Sequence, residues 1–276
     1  YKHKIDVLHV HYAIPHAYAA YMAKKILDEN GYKIPIVTTL HGTDITLVGN
    51  HPFYKPAVTF SINKSDFVTC VSNSLRDDTR EFFGIKREIE VIPNFVDIEK
   101  YGKKHLLCER NMIAQGDEKI IVHISNFRPL KRIIDVLKIF SRISKKINSK
   151  LIMVGDGPDK KNAKDFLRKN DLKNKVIFLG KTNEVDEILC SSDLFLLPSE
   201  KESFGLAALE AMALKIPVIS SNVGGLKELN INGNSGYTSE VGDIESMANN
   251  AIEILSNEKL ENKFKTQALK MQKNMI

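Results

Sequence analysis

Short apolar runs alternate with amphipathic stretches along almost the whole chain. Strand-like runs fall at 6–11, 35–40, 67–71 and 89–92, and then at 120–125, 150–154, 176–179, 194–197 and 217–220. Continuously apolar strands separated by helical periodicity predict parallel sheets covered on both faces, an α/β doubly wound architecture. The pattern breaks at 97–118, which is polar, carries Gly102 and Gly116, and keeps no period; it reads as a linker. Residues 119–255 hold a complete set of βα units, and 256–276 read as a lysine-rich terminal helix. The first domain, 1–96, has four strands and opens at Tyr1 in or just before one of them. It is expected to be incomplete on its amino-terminal side.

The length of 276 residues accommodates two ordinary domains, and 43% hydrophobic with 27% charged residues is a globular balance. No apolar run approaches the roughly 20 residues of a membrane-spanning helix. The net charge of +6 owes much to lysines crowded into 145–181, where a solvated helix face is the plain reading. No arginine-rich, aromatic-interleaved pattern points to nucleic acid. Cys70, Cys108 and Cys190 are odd in number and form no CxxC pair, which predicts free thiols in a reducing cytoplasm.

The densest chemistry is Pro198-Ser-Glu-Lys-Glu-Ser-Phe-Gly-Leu-Ala-Ala-Leu-Glu210-Ala-Met-Ala, which follows an apolar run and opens a helix. A helix start has unpaired N–H groups and the positive end of the macrodipole, so it favours phosphate oxygens. Gly205 would let the backbone approach a ligand closely. Eight residues at helical rise place Glu202 and Glu210 about 12 Å apart, the span of a nucleotide-sugar across its diphosphate. Taken alone, the two glutamates could equally be a cap and a surface charge.

With its neighbours, this segment resembles the signature of the family-four retaining glycosyltransferases. Val154-Gly-Asp-Gly-Pro158, Phe178-Leu-Gly180, Val223-Gly-Gly-Leu-Lys-Glu228, Asn232-Gly-Asn-Ser-Gly236, Gly242-Asp243 and Val91-Ile-Pro-Asn-Phe-Val-Asp97 are similar to loops of that family. Together they cover nearly the whole chain, and the combination is specific where each piece is weak. The resemblance implies the GT-B arrangement: two Rossmann-like domains with a cleft between them, the first taking the acceptor and the second the nucleotide-sugar. It implies that Glu210 holds the ribose hydroxyls, Glu202 a sugar hydroxyl, and the backbone at Phe204, Gly205 and Leu206 the diphosphate, with Gly155 and Gly180 in flanking donor loops. The glycine-rich first βα turn usual in such acceptor domains is not found in the chain, so this polypeptide is expected to bind nucleotide but to transfer sugar poorly.

The family's phosphate-binding pair is an arginine five residues before a lysine. Here Lys131 matches the lysine, Asn126 stands at the arginine position, and the arginine of the loop is Arg128. A cation is needed there because the departing nucleoside diphosphate gains negative charge as the glycosidic bond breaks. A basic surface loop capping a helix is the alternative. In Thr38-Thr-Leu-His41-Gly-Thr-Asp44, His41 ends a strand, where open α/β sheets bind ligands. Its family counterpart faces the sugar, where it stabilises positive charge at the anomeric carbon. The family retains configuration by front-side attack, the leaving phosphate taking the acceptor's proton. No Asp-x-Asp pair occurs in the chain, which fits metal-independent donor binding with no cofactor.

A narrower resemblance, to the bacillithiol branch of that family, lies in His11-Tyr-Ala-Ile-Pro-His-Ala17, Thr39-Leu-His-Gly-Thr-Asp-Ile-Thr46 and Ile124-Ser-Asn-Phe-Arg-Pro-Leu-Lys-Arg132. It implies UDP-N-acetylglucosamine as donor and L-malate as acceptor. A small anionic acceptor needs hydroxyl donors and a cation, for which Tyr12, Thr43 and Arg76 or Lys64 are the candidates. Acceptors such as a sugar, an inositol phosphate or a lipid-linked sugar remain open, as does a homo-oligomer. Two readings of other classes stand beside this one. His9 and His11, at i and i+2, share a strand face with the spacing of a metal-dependent hydrolase; and the chain could bind nucleotide-sugar without transferring it. His3, His51 and His105 read as surface residues, and His123 as a satisfied core histidine.

Overall fold

The computed structural model describes residues 4–49, 51–97, 108 and 110–273. The chain divides into two compact units, Tyr1–Asn94 and Phe95–Ile276. In the first, β1 (Leu8–His11), α1 (Tyr18–Glu29), β2 (Ile36–Leu40), α2 (Lys55–Lys64), β3 (Phe67–Cys70), α3 (Asn73–Phe83) and β4 (Glu90–Val91) follow one another. Their strands form a parallel sheet in chain order, β1-β2-β3-β4, with Leu8 opposite Ile36 and Val37 opposite Phe67. Ser72 caps α3 by accepting the Leu75 N–H at 3.1 Å, and Gly84 ends it in the left-handed region.

The second unit runs α4 (Arg110–Ile113), β5 (Lys119–Ile124), α5 (Ile133–Ile143), β6 (Ser149–Val154), α6 (Lys160–Lys169), β7 (Val176–Gly180), α7 (Val185–Cys190) and β8 (Leu194–Leu197). It continues through α8 (Leu206–Ala213), β9 (Val218–Ser221), α9 (Leu226–Leu229), β10 (Gly236–Ser239), α10 (Ile244–Ser256) and α11 (Glu258–Lys273). Its six parallel strands are ordered β10-β9-β8-β5-β6-β7, the Rossmann order. The chain builds outward from β5 to β7, then crosses back to lay β8 on the other side of β5. The loops after β5 and β8 therefore leave the sheet side by side, and that switch point is where doubly wound folds hold their ligands.

The core explains why the order holds. β5, β6, β8 and β9 are buried along nearly their whole length, and α5 seals one face with Ile133, Val136, Leu137, Ile139, Phe140 and Ile143. Each such side chain contributes about 1.5–3 kcal/mol by leaving water. α8 is buried on most sides, with Ala208, Leu209, Ala211, Met212 and Ala213 out of solvent, and it packs against α11. Its first turn is thereby rigidly placed.

Several expectations change. Cys108 and Cys190 form a disulfide with Cα atoms 5.6 Å apart, so the cysteines are not three free thiols. The two are 82 residues apart in sequence, a pairing that only the fold brings together. Cys70 is buried, and its Sγ reaches the Ser72 carbonyl at 3.3 Å. β10 lies where the sequence pattern reads as loop, because Gly-Tyr-Thr-Ser offers one large apolar residue and its ladder runs along β9 at the sheet edge. Half of the expected linker, with His3 and His105, lies outside the described residues. Among the described residues, no helix is long and apolar enough to cross a membrane.

Candidate functional site

At the switch point of the second unit, Lys131 ends the short helical turn Pro129–Lys131 after β5, and Glu202 lies in the loop after β8. Lys131 Nζ donates to Glu202 Oε1 at 2.5 Å, and the two side chains are 16% and 11% exposed. The buried Ser199 Oγ donates to the same oxygen at 2.9 Å. The backbone fastens the loops as well, with Glu200 N donating to Leu130 O at 2.7 Å and Gly225 N to Glu202 O at 3.0 Å. Gly224 has φ +48°, and a β-carbon on it would lie 1.9 Å from Glu202 O; only glycine lets the loop after β9 pass beneath Glu202.

α8 begins at Leu206, with Gly205 as its N-cap at φ 98°. Only the second half of the Glu202–Glu210 spacing is therefore at helical rise, and the 12 Å expectation does not apply: residues 202–205 are loop. The missing side chain of Gly205 also leaves room for packing within the unit. That space is taken by Leu226, whose Cδ2 would lie 2.5 Å from an added β-carbon. Phe204 is buried and Leu206 exposed. Glu210 is half-buried in α8, and its carboxyl is pushed above the ordinary range by burial and by the Asp186 carboxylate.

The loops after β6 and β7 close the same edge. Gly155 N donates to Gly180 O at 2.8 Å, and a β-carbon on Gly155 would lie 1.8 Å from Ser125 O. His123, near the carboxyl end of β5, donates from Nδ1 to the Leu196 carbonyl at 2.8 Å, so its Nε2 accepts from the Ser125 hydroxyl at 2.7 Å. It is fully buried, and burial lowers its pKa to about 4 against the pull of its Leu196 bond, with the Lys131 charge also disfavouring protonation. Asn126 and Arg128 are exposed, and among the described residues neither side chain has a hydrogen-bond partner. Arg132 pairs with Asp135 and stands 3.8 Å from Glu200.

In the first unit a different constellation occupies the carboxyl ends of β1 and β2. His9 and His11 share one exposed side of β1, with ring centroids 4.9 Å apart. His9 Nε2 meets Thr39 Oγ1 at 2.9 Å, and His11 Nδ1 meets His41 Nε2 at 2.8 Å. Tyr12, at φ 76°, sets its ring 5.0 Å from that of His41. Burial lowers the His41 pKa, and the His11 charge lowers it further. The buried Asp44 ties the two loops together, accepting Ala13 N–H at 2.8 Å, Gly42 N–H at 3.0 Å and, more loosely, His41 N–H at 3.4 Å. Its own pKa is raised by burial, with those backbone bonds pulling the other way. The imidazole nitrogens meet one another and Thr39 instead of converging on a point. Among the described residues no group of three or more His, Cys, Asp or Glu side chains is arranged to hold a metal ion.

Thr43 is exposed at the start of the helical turn Thr43–Leu47. Arg76 donates to its neighbour Asp77 at 3.0 Å, and the Lys64 ammonium stands over the Phe60 ring. His51 is exposed. Sequence reasoning missed Ser199, Asp44 and Asp186. Ser199 lies within the Pro198–Ala213 motif, but its bond to Glu202 is a side-chain contact in the loop ahead of the helix and leaves no sequence signal, and neither do Asp44 and Asp186.

Comparison with known proteins agrees across both units. Residues 109–271 match the family described as glycosyl transferases group 1, and residues 1–100 match glycosyltransferase family 4. The N-acetyl-α-D-glucosaminyl L-malate synthase of Bacillus anthracis is 44% identical over 260 residues, covering 94% of this chain and 68% of that protein. An uncharacterised glycosyltransferase of Methanocaldococcus jannaschii is 29% identical over 261 residues, covering 93% of this chain and 67% of that one. The crystal structure of Anabaena HepE with UDP and glucose has a TM-score of 0.85 at 20% identity, covering 98% of this chain and 74% of that chain. Sucrose-phosphate synthase of Thermosynechococcus elongatus has a TM-score of 0.83 at 18% identity, covering 99% and 70%.

Proposed function

Because this chain belongs to the group 1 and family 4 glycosyltransferases, we propose that it moves N-acetylglucosamine from UDP-N-acetylglucosamine to the hydroxyl of L-malate, with retention of configuration, as a cytoplasmic step of bacillithiol biosynthesis. The observation that carries donor binding is the meeting of Lys131 and Glu202 beside the start of α8, at the Rossmann switch point. The choice of sugar and acceptor rests on the 44% identity to the malate synthase.

In this reading residues 119–255 hold the donor. Glu210 accepts from the ribose hydroxyls, Glu202 accepts from a sugar hydroxyl, and Lys131 with the backbone of Phe204, Gly205 and Leu206 receives the diphosphate. Asn126 and Arg128 flank it, and Gly155 and Gly180 shape the neighbouring loops. As the bond from the anomeric carbon to the phosphate oxygen breaks, its electron pair stays on the phosphate, where the Lys131 charge and the helix start offset it. The malate hydroxyl attacks from the same face and gives its proton to the departing phosphate oxygen. No metal ion is required in this scheme. Residues 1–96 hold the acceptor, with Tyr12, Thr43 and Arg76 as its contacts and His41 facing the sugar. Arg76 must then leave Asp77.

The test measures UDP release with UDP-N-acetylglucosamine and malate, lactate or glycerate, in excess chelator. Malate should be preferred by about 100-fold or more, since a site built for two carboxylates leaves a group unpaired when one is missing. Equal rates with the three acids would overturn the acceptor, and turnover that returns only with added metal would overturn the metal-free scheme.

A further inference from the structure

Lys131 and Ser199 both donate to one oxygen of Glu202, Oε1, at 2.5 and 2.9 Å. Among the described residues nothing donates to Oε2. The ammonium that would receive a diphosphate is thus already neutralised by the carboxylate that would receive a sugar hydroxyl, with both side chains largely out of solvent. Ser199 is wholly buried in the loop just after β8, so its hydroxyl meets Glu202 from within the unit. The backbone of Glu202 is clamped independently through Gly225 N and the close passage of Gly224.

We propose that this triad is a charge-masking device: Glu202 occupies Lys131 until a diphosphate displaces it, and Ser199 is a positioning residue that keeps Glu202 in place when Lys131 turns away. Two donors on one oxygen make sense on these terms. An ion pair alone would release Glu202 as soon as Lys131 met a phosphate, and a freed carboxylate would swing toward water or repel the incoming anion. With Ser199 still bonded to Oε1, Oε2 stays aimed as the acceptor for the sugar. A ligand with a diphosphate but no sugar meets only the cost of unmasking Lys131, while a nucleotide-sugar recovers it through Oε2. The site would therefore discriminate against its own nucleotide product.

The inference rests on the donor-binding reading above, and calorimetry with UDP and UDP-N-acetylglucosamine separates the two. Native protein that binds neither ligand would sink the donor reading itself. Provided it binds, Glu202→Gln, which keeps the shape and loses the charge, should bind UDP about three- to ten-fold more tightly than native protein, with no such gain for UDP-N-acetylglucosamine. In a Lys131→Met background the gain from Glu202→Gln should vanish, a coupling that a merely structural role would not produce. Ser199→Ala should lose more affinity for the nucleotide-sugar than for UDP, and Ser199→Thr should restore it. Unchanged or weaker UDP binding in folded Glu202→Gln protein overturns the masking, and equal losses for both ligands in Ser199→Ala overturn the role of Ser199.

Discussion

The carboxyl edges of the two sheets solve the same problem with opposite chemistry. In the second unit, a full ion pair sits at the switch point, bound to a buried hydroxyl and to loops stitched by backbone bonds. In the first, imidazoles meet as hydrogen-bonding partners: His11 and His41 share a 2.8 Å contact that requires one nitrogen to carry the proton and the other to offer a lone pair. A charged pair suits a site for a diphosphate, whose charge is fixed. An imidazole pair suits a site where charge arises only transiently, and burial lowers the His41 pKa, favouring its neutral form. The two edges differ in burial as well as in charge: Lys131 and Glu202 lie largely out of solvent, while His9 and His11 are exposed and His41 is half-buried.

The sharpest way to break this contrast is Asp44→Ala. Two firm backbone bonds and a looser third would lose their acceptor in a buried place, costing about 4 kcal/mol at 1–3 kcal/mol per orphaned group. Denaturant unfolding should show the loss, and a change under 1 kcal/mol would mean the first unit's loops are held otherwise.

Next comes the pH dependence of His123. Its pKa is about 4 in the folded chain against 6.5 ordinarily, so between these values the unfolded chain binds a proton that the folded one refuses. Stability is then complete above pH 6.5 and falls by about 3 kcal/mol as pH drops to 4. His123→Phe should be less stable at pH 7, since the Leu196 carbonyl and the Ser125 hydroxyl lose their partner, yet its stability should be flatter over that range. An equally steep profile in the variant would assign the acid loss elsewhere.

Smallest is Glu210→Ala, which should weaken UDP binding by about 2 kcal/mol through loss of a charged hydrogen-bond acceptor. Because burial and Asp186 raise the Glu210 pKa, native UDP affinity should fall on acidification at a higher pH than an ordinary glutamate would give. The variant should lack that limb of the profile. Unchanged UDP affinity in the folded variant would remove Glu210 from the site.

The two edges also differ in how far they were legible. The Pro198–Ala213 motif is contiguous, so Glu202, Glu210 and the helix start could be read from neighbouring residues, and Lys131 from its own loop after β5. Yet the helix begins later than its pattern suggests, and the space beside Gly205 is filled by Leu226, because a packing partner 21 residues away does not show in a local window. The histidines could be read as a strand-face pair, but not as partners of Thr39 and His41.

The alternation of apolar strands with helical periodicity by itself determined the doubly wound class, and the Pro198–Ala213 motif with its neighbouring loops determined the family. These are local properties, set by which faces must leave water and by unpaired N–H groups at a helix start. Tertiary structure alone decided the Lys131–Glu202–Ser199 triad, the Asp44 tie, the β10 strand and the Cys108–Cys190 bond. Each joins groups distant in sequence or gains its meaning only from burial. Contacts of that kind depend on strand order and register, and those follow from the packing of the whole sheet.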